Sequence, residues 1–161
     1  MSYVKGLTAT AALAFFGVLA TPAAHAEAGA PVFAVQSIAG SHMRLGFNAY
    51  QAGDYEKAAR FTTKGTVKGI KKSRRAIAYS NLCAALGQQG TLDAAREACA
   101  SALEMAPANW RALNNRGVIN YLAGDKVAAS TDFTTAAADA NASVAKANAD
   151  LLAGTKMAAS E

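Results

Sequence analysis

Apolar and small residues recur at helical spacing from Ser41 to the end of the chain, interrupted by three glycines, Gly53, Gly90 and Gly124. Each glycine separates two amphipathic segments, which predicts pairs of helices joined by tight turns. After Asn141, which we expect to cap it, one more amphipathic segment predicts a last helix. Its apolar positions are Val144, Ala147, Leu151 and Leu152.

The segment 27–40 contains Gly29 and Pro31 and has no helical pattern. We therefore expect an extended or mobile leader before the first helix. Four apolar residues of this leader could dock against the first helix: Val32, Phe33, Val35 and Ile38.

Aligning the chain on the three glycines reveals an internal repeat with a period of about 34 residues, the interval from Gly90 to Gly124. The interval from Gly53 to Gly90 is slightly longer. The residues seven before, five after and twelve after each glycine are small. These are Gly46, Cys83 and Gly117, then Ala58, Ala95 and Ala129, then Gly65, Ala102 and Ala136. Small side chains at matching positions allow two antiparallel helices to approach closely.

Such a period, with a helix on each side of a glycine turn, resembles the tetratricopeptide repeats, over about residues 41–141. Pro107, which closes the second repeat, and Trp110, which opens the third, match the family pattern. The first repeat departs from it, because it has no closing proline and is three residues longer through 68–71. The third departs too, with Asn141 in place of the proline.

The resemblance implies an all-α fold, a right-handed superhelical stack of helix-turn-helix repeats. The repeats would span about 41–73, 74–107 and 108–141, followed by a capping helix and C-terminal tail over 142–161.

Residues 1–26 have the features of a signal peptide: Lys5, an apolar run from Leu7 to Ala20, and a small-x-small site ending at Ala26. We expect export to the periplasm with cleavage after Ala26, or alternatively full secretion. A permanent anchor is the other interpretation, but the run is shorter than the roughly 20 residues that span a bilayer. The mature chain would then have no integral membrane segment.

The composition is that of a folded chain, with 52% apolar residues and a formal charge of +5, which excludes extensive disorder. The charge is uneven: residues 27–75 carry nine basic and three acidic side chains, and residues 76–161 carry six and eight.

Six of these cations form what we call the basic patch: Lys64, Lys68, Lys71, Lys72, Arg74 and Arg75. Their spacing by three and four predicts that several of them share one helical face, which ends at the junction of the first two repeats. Such a patch would bind an anionic envelope component or an acidic partner, or would merely be a solvated helix end. Nucleic acid is not expected, because no aromatic residues interleave to stack on bases.

Two cysteines lie in the second repeat, Cys83 seven residues before its glycine and Cys99 nine after it. These positions are nearly level across an antiparallel hairpin, which predicts a disulfide in an oxidising compartment. Two reduced thiols packed as small core residues remain the alternative.

The sequence offers little for catalysis. After Ala26 there is a single histidine, His42, and we expect neither a metal site nor a cofactor. Asp54 and Asp125 directly follow turn glycines, where we expect them to cap the next helices. We therefore expect no enzymatic activity, although another chain could supply catalytic partners.

First helices of such a stack line its concave side, where exposed residues would contact a protein or peptide. The candidates are Arg44, Phe47, Ser80, Asn81, Gln88, Arg111, Asn114, Asn115 and Tyr121. Asparagine amides there can pair with the backbone of an extended ligand. A second resemblance, to the carboxylate-clamp repeats of co-chaperones, rests on Asn81 and Arg111 and fails at Met43, Phe47 and Asn115. The leading hypothesis is a non-catalytic periplasmic adaptor, and the alternative is an envelope-associated module that uses the basic patch.

Overall fold

The computed structural model describes residues 29–158, so the predicted signal peptide lies outside the described residues. Between Ser41 and Ala158 the chain forms seven helices. They are α1 (Ser41–Gln51), α2 (Tyr55–Thr63), α3 (Lys72–Gln88), α4 (Leu92–Met105), α5 (Trp110–Leu122), α6 (Lys126–Ala137) and α7 (Ser143–Ala158). Within 29–158 no helix combines the length and hydropathy required to span a membrane.

The three predicted glycine turns are present, each joining the two helices of a pair. Gly53, Gly90 and Gly124 have φ values of 77°, 76° and 86°, a left-handed conformation that glycine adopts without steric cost. The predicted aspartate caps are confirmed: Asp54 Oδ1 accepts from the N–H of Lys57 at 3.1 Å, and Asp125 Oδ1 from that of Ala128 at 2.9 Å.

The small residues of the repeat lie where paired helices touch. Ala58, Ala95 and Ala129 are at most 1% exposed. A Cβ added at Gly117 would lie 2.6 Å from Cε1 of Phe133, and one added at Gly46 would lie 2.6 Å from Oγ1 of Thr62. The backbones are therefore as close as the register of small residues predicted.

The helices form two layers. Each helix packs on the next along the chain, while α1 also contacts α3, α3 contacts α5 and α5 contacts α7. The inner layer thus consists of α1, α3, α5 and α7, and the outer layer of α2, α4 and α6. We call the face of the inner layer that residues 32–36 cover the groove.

A disulfide joins Cys83 of α3 to Cys99 of α4, with their Cα atoms 5.2 Å apart. The two cysteines therefore lie at disulfide distance, as their register predicted. Both cysteines are completely buried, in a cluster with Ala95 and Ile119.

The prediction that Asn141 caps the last helix is wrong. α7 begins two residues later, at Ser143, and the Asn141 N–H donates to Oδ1 of Asp139 at 2.8 Å. The turn formed by residues 139–142 therefore precedes the helix.

The predicted buried face of α7 is also displaced. Ala147 is exposed, whereas the buried residues are Ala145, Asn148 and Leu152. This face packs on α5 and α6, where Leu152 joins the cluster around Val118 and Phe133. The apolar pattern does not reveal this face because its central buried residue, Asn148, is polar.

Candidate functional site: a groove lined with asparagines

The described part of the leader, residues 29–40, contains neither helix nor strand and lies along the inner layer. Its main chain is held there by asparagine side chains from three different helices, α3, α5 and α7. Phe33 does not follow the expectation that the leader docks against the first helix. It packs instead between Gly87 of α3 and Ile119 of α5.

Asn81 on α3 binds both main-chain groups of Gln36. The Gln36 N–H donates to Asn81 Oδ1 at 3.0 Å, and Asn81 Nδ2 donates to the Gln36 carbonyl at 2.7 Å. One amide side chain therefore satisfies a backbone donor and a backbone acceptor at once, as a neighbouring β-strand would.

Asn115 on α5 repeats this arrangement at Ala34. The Ala34 N–H donates to Asn115 Oδ1 at 2.7 Å, and Asn115 Nδ2 donates to the Ala34 carbonyl at 2.9 Å. The same Nδ2 donates to the carbonyl of Ser80 at 3.0 Å, which ties α5 to α3 beneath the leader. Asn115 is completely buried.

Asn148 on α7 binds Val32 in the same way, accepting from its N–H at 3.0 Å and donating to its carbonyl at 2.9 Å. Asn114 Nδ2 also donates to that carbonyl, at 3.1 Å, while Asn114 Oδ1 accepts from Asn148 Nδ2 at 2.8 Å. Among the described residues, every buried side-chain nitrogen or oxygen has a hydrogen-bond partner.

The contacts follow two matching periods. Along the leader the bound residues are every second one, which is the repeat of an extended chain. Along the helices, Asn81 and Asn115 are one repeat period apart, and Asn148 lies one position short of the next period. Each structural repeat thus holds one further dipeptide of the leader, and the leader runs opposite to the order of the repeats. We call Asn81, Asn115 and Asn148 the asparagine ladder.

The leader's side chains meet different surroundings. The Phe33 ring lies against Gly87, where an added Cβ would overlap it, and it packs on the clusters that contain Ile119 and Val118. Ala34 is 5% exposed, beside Trp110 and Leu113, whereas Val32 is 43% exposed. The groove accommodates an aromatic ring followed by a small residue and leaves Val32 largely in solvent.

Comparison with known proteins bears on the fold. No family model matches the sequence, and no curated protein is significantly similar to it. Among solved structures, the Arabidopsis OM64 TPR domain is similar to this chain, with 24% sequence identity and a TM-score of 0.58, over 68% of this chain and 88% of that one. The fold is that of a tetratricopeptide-repeat domain.

In this tetratricopeptide-repeat fold, four predicted concave-face residues are not exposed as we expected. Ser80, Asn81, Asn114 and Asn115 are at most 4% exposed. The leader binds the three asparagines, and Ser80 lies against Asn115. Their predicted chemistry, amide pairing with an extended backbone, nevertheless describes the contacts that the asparagines make with residues 32–36.

The remaining candidates lie around this site. Gln88 Nε2 donates to the hydroxyl of Tyr50 at 3.3 Å, and burial raises the pKa of Tyr50 to about 12. Arg111 stacks on Trp110 with its guanidinium 4.2 Å from the ring centroid, and partial burial lowers the pKa of Arg111.

The last three candidates differ in their surroundings. Phe47 lies beside Val35, Tyr121 packs near Val118, and Arg44 is exposed.

Asn148 is the residue of the asparagine ladder that is absent from the sequence-based candidates. It follows Asn114 by one full repeat period, the same interval that separates Asn81 from Asn115. The predicted repeats end at residue 141, and the prediction gives α7 the role of a cap only. Its Asn148 shows that α7 also continues the inner layer.

The basic patch is not one helical face, so that prediction is wrong. Lys64, Lys68 and Lys71 lie in the non-helical linker 64–71, and the other three cations lie in the first turn of α3. Arg74 donates to the carbonyl of Ala39, and Arg75 Nε donates to the carbonyl of Thr66 at 3.0 Å. The patch surrounds the point where the leader enters α1.

His42 stacks on Phe61, with ring centroids 6.3 Å apart. Within residues 29–158, no three side chains of histidine, cysteine, aspartate or glutamate cluster as metal ligands would.

Proposed function

We propose that this protein is an exported, non-catalytic adaptor whose groove binds an extended polypeptide segment, and that the leader occupies the groove until such a segment replaces it. The observation that carries the proposal is the asparagine ladder, which pairs with the N–H and carbonyl groups of alternate leader residues. These contacts involve main chain, so any extended segment can make them.

The side-chain environments narrow the class of ligand. A segment that replaces the leader needs a large apolar residue at the position of Phe33 and a small one at that of Ala34, since Ala34 is enclosed by Trp110 and Leu113. The position of Val32 tolerates variation because it is largely exposed. We therefore expect partners that present an extended aromatic-small dipeptide.

Export to the periplasm, or secretion, is part of the proposal. The signal-peptide features of residues 1–26 support it, and so does the buried Cys83–Cys99 disulfide, because such bonds persist in oxidising compartments.

The test measures binding of a fluorescent peptide with the sequence of residues 29–40 by anisotropy. In the intact protein the tethered leader competes at an effective concentration of roughly millimolar, so free peptide should bind weakly. Phe33→Ala loosens the leader and should strengthen binding of the free peptide about tenfold or more, because more of the groove is available. Adding Asn115→Ala to this variant should abolish binding, whereas adding the exposed Asn48→Ala should not.

Chemically modified peptides distinguish recognition of the peptide main chain from non-specific binding. N-methylation of the residue equivalent to Ala34 removes the N–H that donates to Asn115, and should abolish binding of the peptide to the protein. Replacing the residue equivalent to Val32 by threonine should change it little. Equal binding of the N-methylated and unmodified peptides would contradict the proposal.

A second candidate function is attachment to an anionic envelope surface through the basic patch. It is favoured by the position of Lys72, Arg74 and Arg75 in the first turn of α3, where the helix dipole disfavours cations. Binding to anionic vesicles that weakens steeply between roughly 0.05 and roughly 0.5 M salt would support it.

A further inference from the structure

A cavity of about 420 Å³ lies at the centre of the basic patch, outside the asparagine ladder. The end of the leader, the start of α1, the linker 64–71 and the start of α3 form its walls. The lining includes Ile38, Met43, Gly65, Ile70 and three cations, Lys64, Lys71 and Arg74. Its volume falls within the range typical of small-molecule sites, about 300 to 1,000 Å³.

The interior of this cavity is apolar. Met43 is 6% exposed, and a Cβ added at Gly65 would lie 2.5 Å from its Sδ atom, so this part of the wall is tightly packed. Ile38 and Ile70, which also line the cavity, are half-buried. A cavity with such walls favours a hydrocarbon ligand, because binding there removes the apolar surface of the ligand and of the cavity from water.

The rim of the cavity is cationic and carries no acidic residue. Among the described side chains, those of residues 29–155, the ion pairs are Arg96 with Asp93 and Arg116 with Asp132, so the three rim cations have no carboxylate partner there. Lys71 and Arg74 also lie at the N-terminal end of α3, where the helix dipole adds to their mutual repulsion. A bound anion would relieve both unfavourable terms.

We propose that this cavity binds a single-chain amphiphile with an anionic head group, such as a medium-chain fatty acid. The hydrocarbon chain would occupy the space between Ile38, Met43 and Ile70, and the carboxylate would lie on the cationic rim. This inference gives the second candidate function a specific ligand site, and it does not depend on the peptide groove. A bilayer surface alone would use the cations and leave the cavity empty.

Isothermal titration calorimetry with laurate, kept below the concentration at which it forms micelles, tests the proposal on the purified protein. We expect laurate to bind, the uncharged dodecanol analogue to bind about tenfold more weakly, and acetate not to bind. Binding of acetate as tight as that of laurate would overturn the role of the apolar cavity.

Two variants and two matched controls locate the site. Lys64→Gln with Lys71→Gln removes two rim charges and should weaken laurate binding about tenfold, whereas Lys126→Gln with Lys146→Gln, remote from the cavity, should leave it unchanged. Ile70→Asn places an amide in the apolar wall and should weaken laurate binding by a similar factor. Val67→Asn, in the same linker but outside the lining, should not.

Laurate binding that is unchanged in both cavity variants would overturn the assignment. Binding of anionic vesicles without binding of laurate would also overturn it, while leaving the patch as a surface-attachment site. Melting curves for each variant confirm that a loss of binding does not come from unfolding.

Discussion

The two ends of the leader meet opposite environments within one small fold. Residues 32–36 lie on buried asparagines, and every buried side-chain polar atom described there is paired. Residues 38–40 enter a region of exposed cations, where α1 and α3 begin without a side-chain cap. One region is electrically neutral and fully hydrogen-bonded, and the other is charged and has no carboxylate partner among the described residues.

The hydrogen bonds of the groove stabilise the fold, whereas the unpaired charges of the basic patch are available to a ligand. In the groove, removing an asparagine leaves the leader's N–H and carbonyl groups without partners, which costs stability. In the basic patch, removing a lysine relieves repulsion, whereas Arg74 and Arg75 also donate to the carbonyls of Ala39 and Thr66. Asparagine substitutions in the groove and lysine substitutions in the patch should therefore change stability in opposite directions.

The largest expected effect lies outside both regions, in the disulfide that fixes the second repeat. Replacing Cys83 and Cys99 together by alanine should lower the free energy of unfolding by about 3 kcal/mol, because the bridge closes a loop of 16 residues in the unfolded chain. Urea denaturation measures the change. Thiol titration of the unreduced, denatured parent protein is the control, and two reactive thiols there would contradict the bridge.

Asn115→Ala should have the next largest effect, about 2 kcal/mol of lost stability, since Asn115 bonds to Ala34 and to Ser80 beneath the leader. Asn48→Ala on the exposed face of α1 is the matched control and should cost less than about 0.5 kcal/mol. Hydrogen exchange should also show the amides of Val32, Ala34 and Gln36 losing protection. Unchanged protection would mean that the ladder does not hold the leader.

Much of this architecture could be predicted from the sequence because it rests on local chemistry. A glycine turn, an aspartate one residue later and a small residue at the helix contact each follow from steric or hydrogen-bonding rules, and Gly90, Asp125 and Ala95 lie where those rules place them. The disulfide followed from the same register.

The groove was only half predictable. Asn81, Asn114 and Asn115 were identified by type and position, but nothing local shows that residues 32–36 return across a long stretch of sequence to cover them. Asn148 was missed because a buried polar residue interrupts an apolar pattern. Following the repeat interval once more, from Asn114, would have found it.

The Phe33 ring is the leader's main apolar anchor, and Phe33→Ala should reduce stability by about 1 to 2 kcal/mol. The loss should be smaller than for a core phenylalanine such as Phe133, because Phe33 is only partly buried. Val32→Ala, at an exposed position of the same segment, is the control and should have little effect. Limited proteolysis should cut the leader of Phe33→Ala faster than that of Val32→Ala, and equal rates would contradict the anchor.

The smallest expected effect is a gain in stability, and it tests the basic patch rather than the groove. Lys72→Glu puts an acidic side chain in the first turn of α3 and among the cations of the basic patch, so it should raise the free energy of unfolding by about 0.3 to 1 kcal/mol at low salt. The gain should shrink in roughly 0.5 M salt, because screening removes the field that produces it. Lys57→Glu, also exposed and at the start of α2, makes the same charge change beside Asp54 and Glu56, which already occupy that helix end, and should gain less. If both substitutions were equally stabilising, net charge rather than the position of the cations at α3 would explain the effect, and the contrast between groove and patch would be lost.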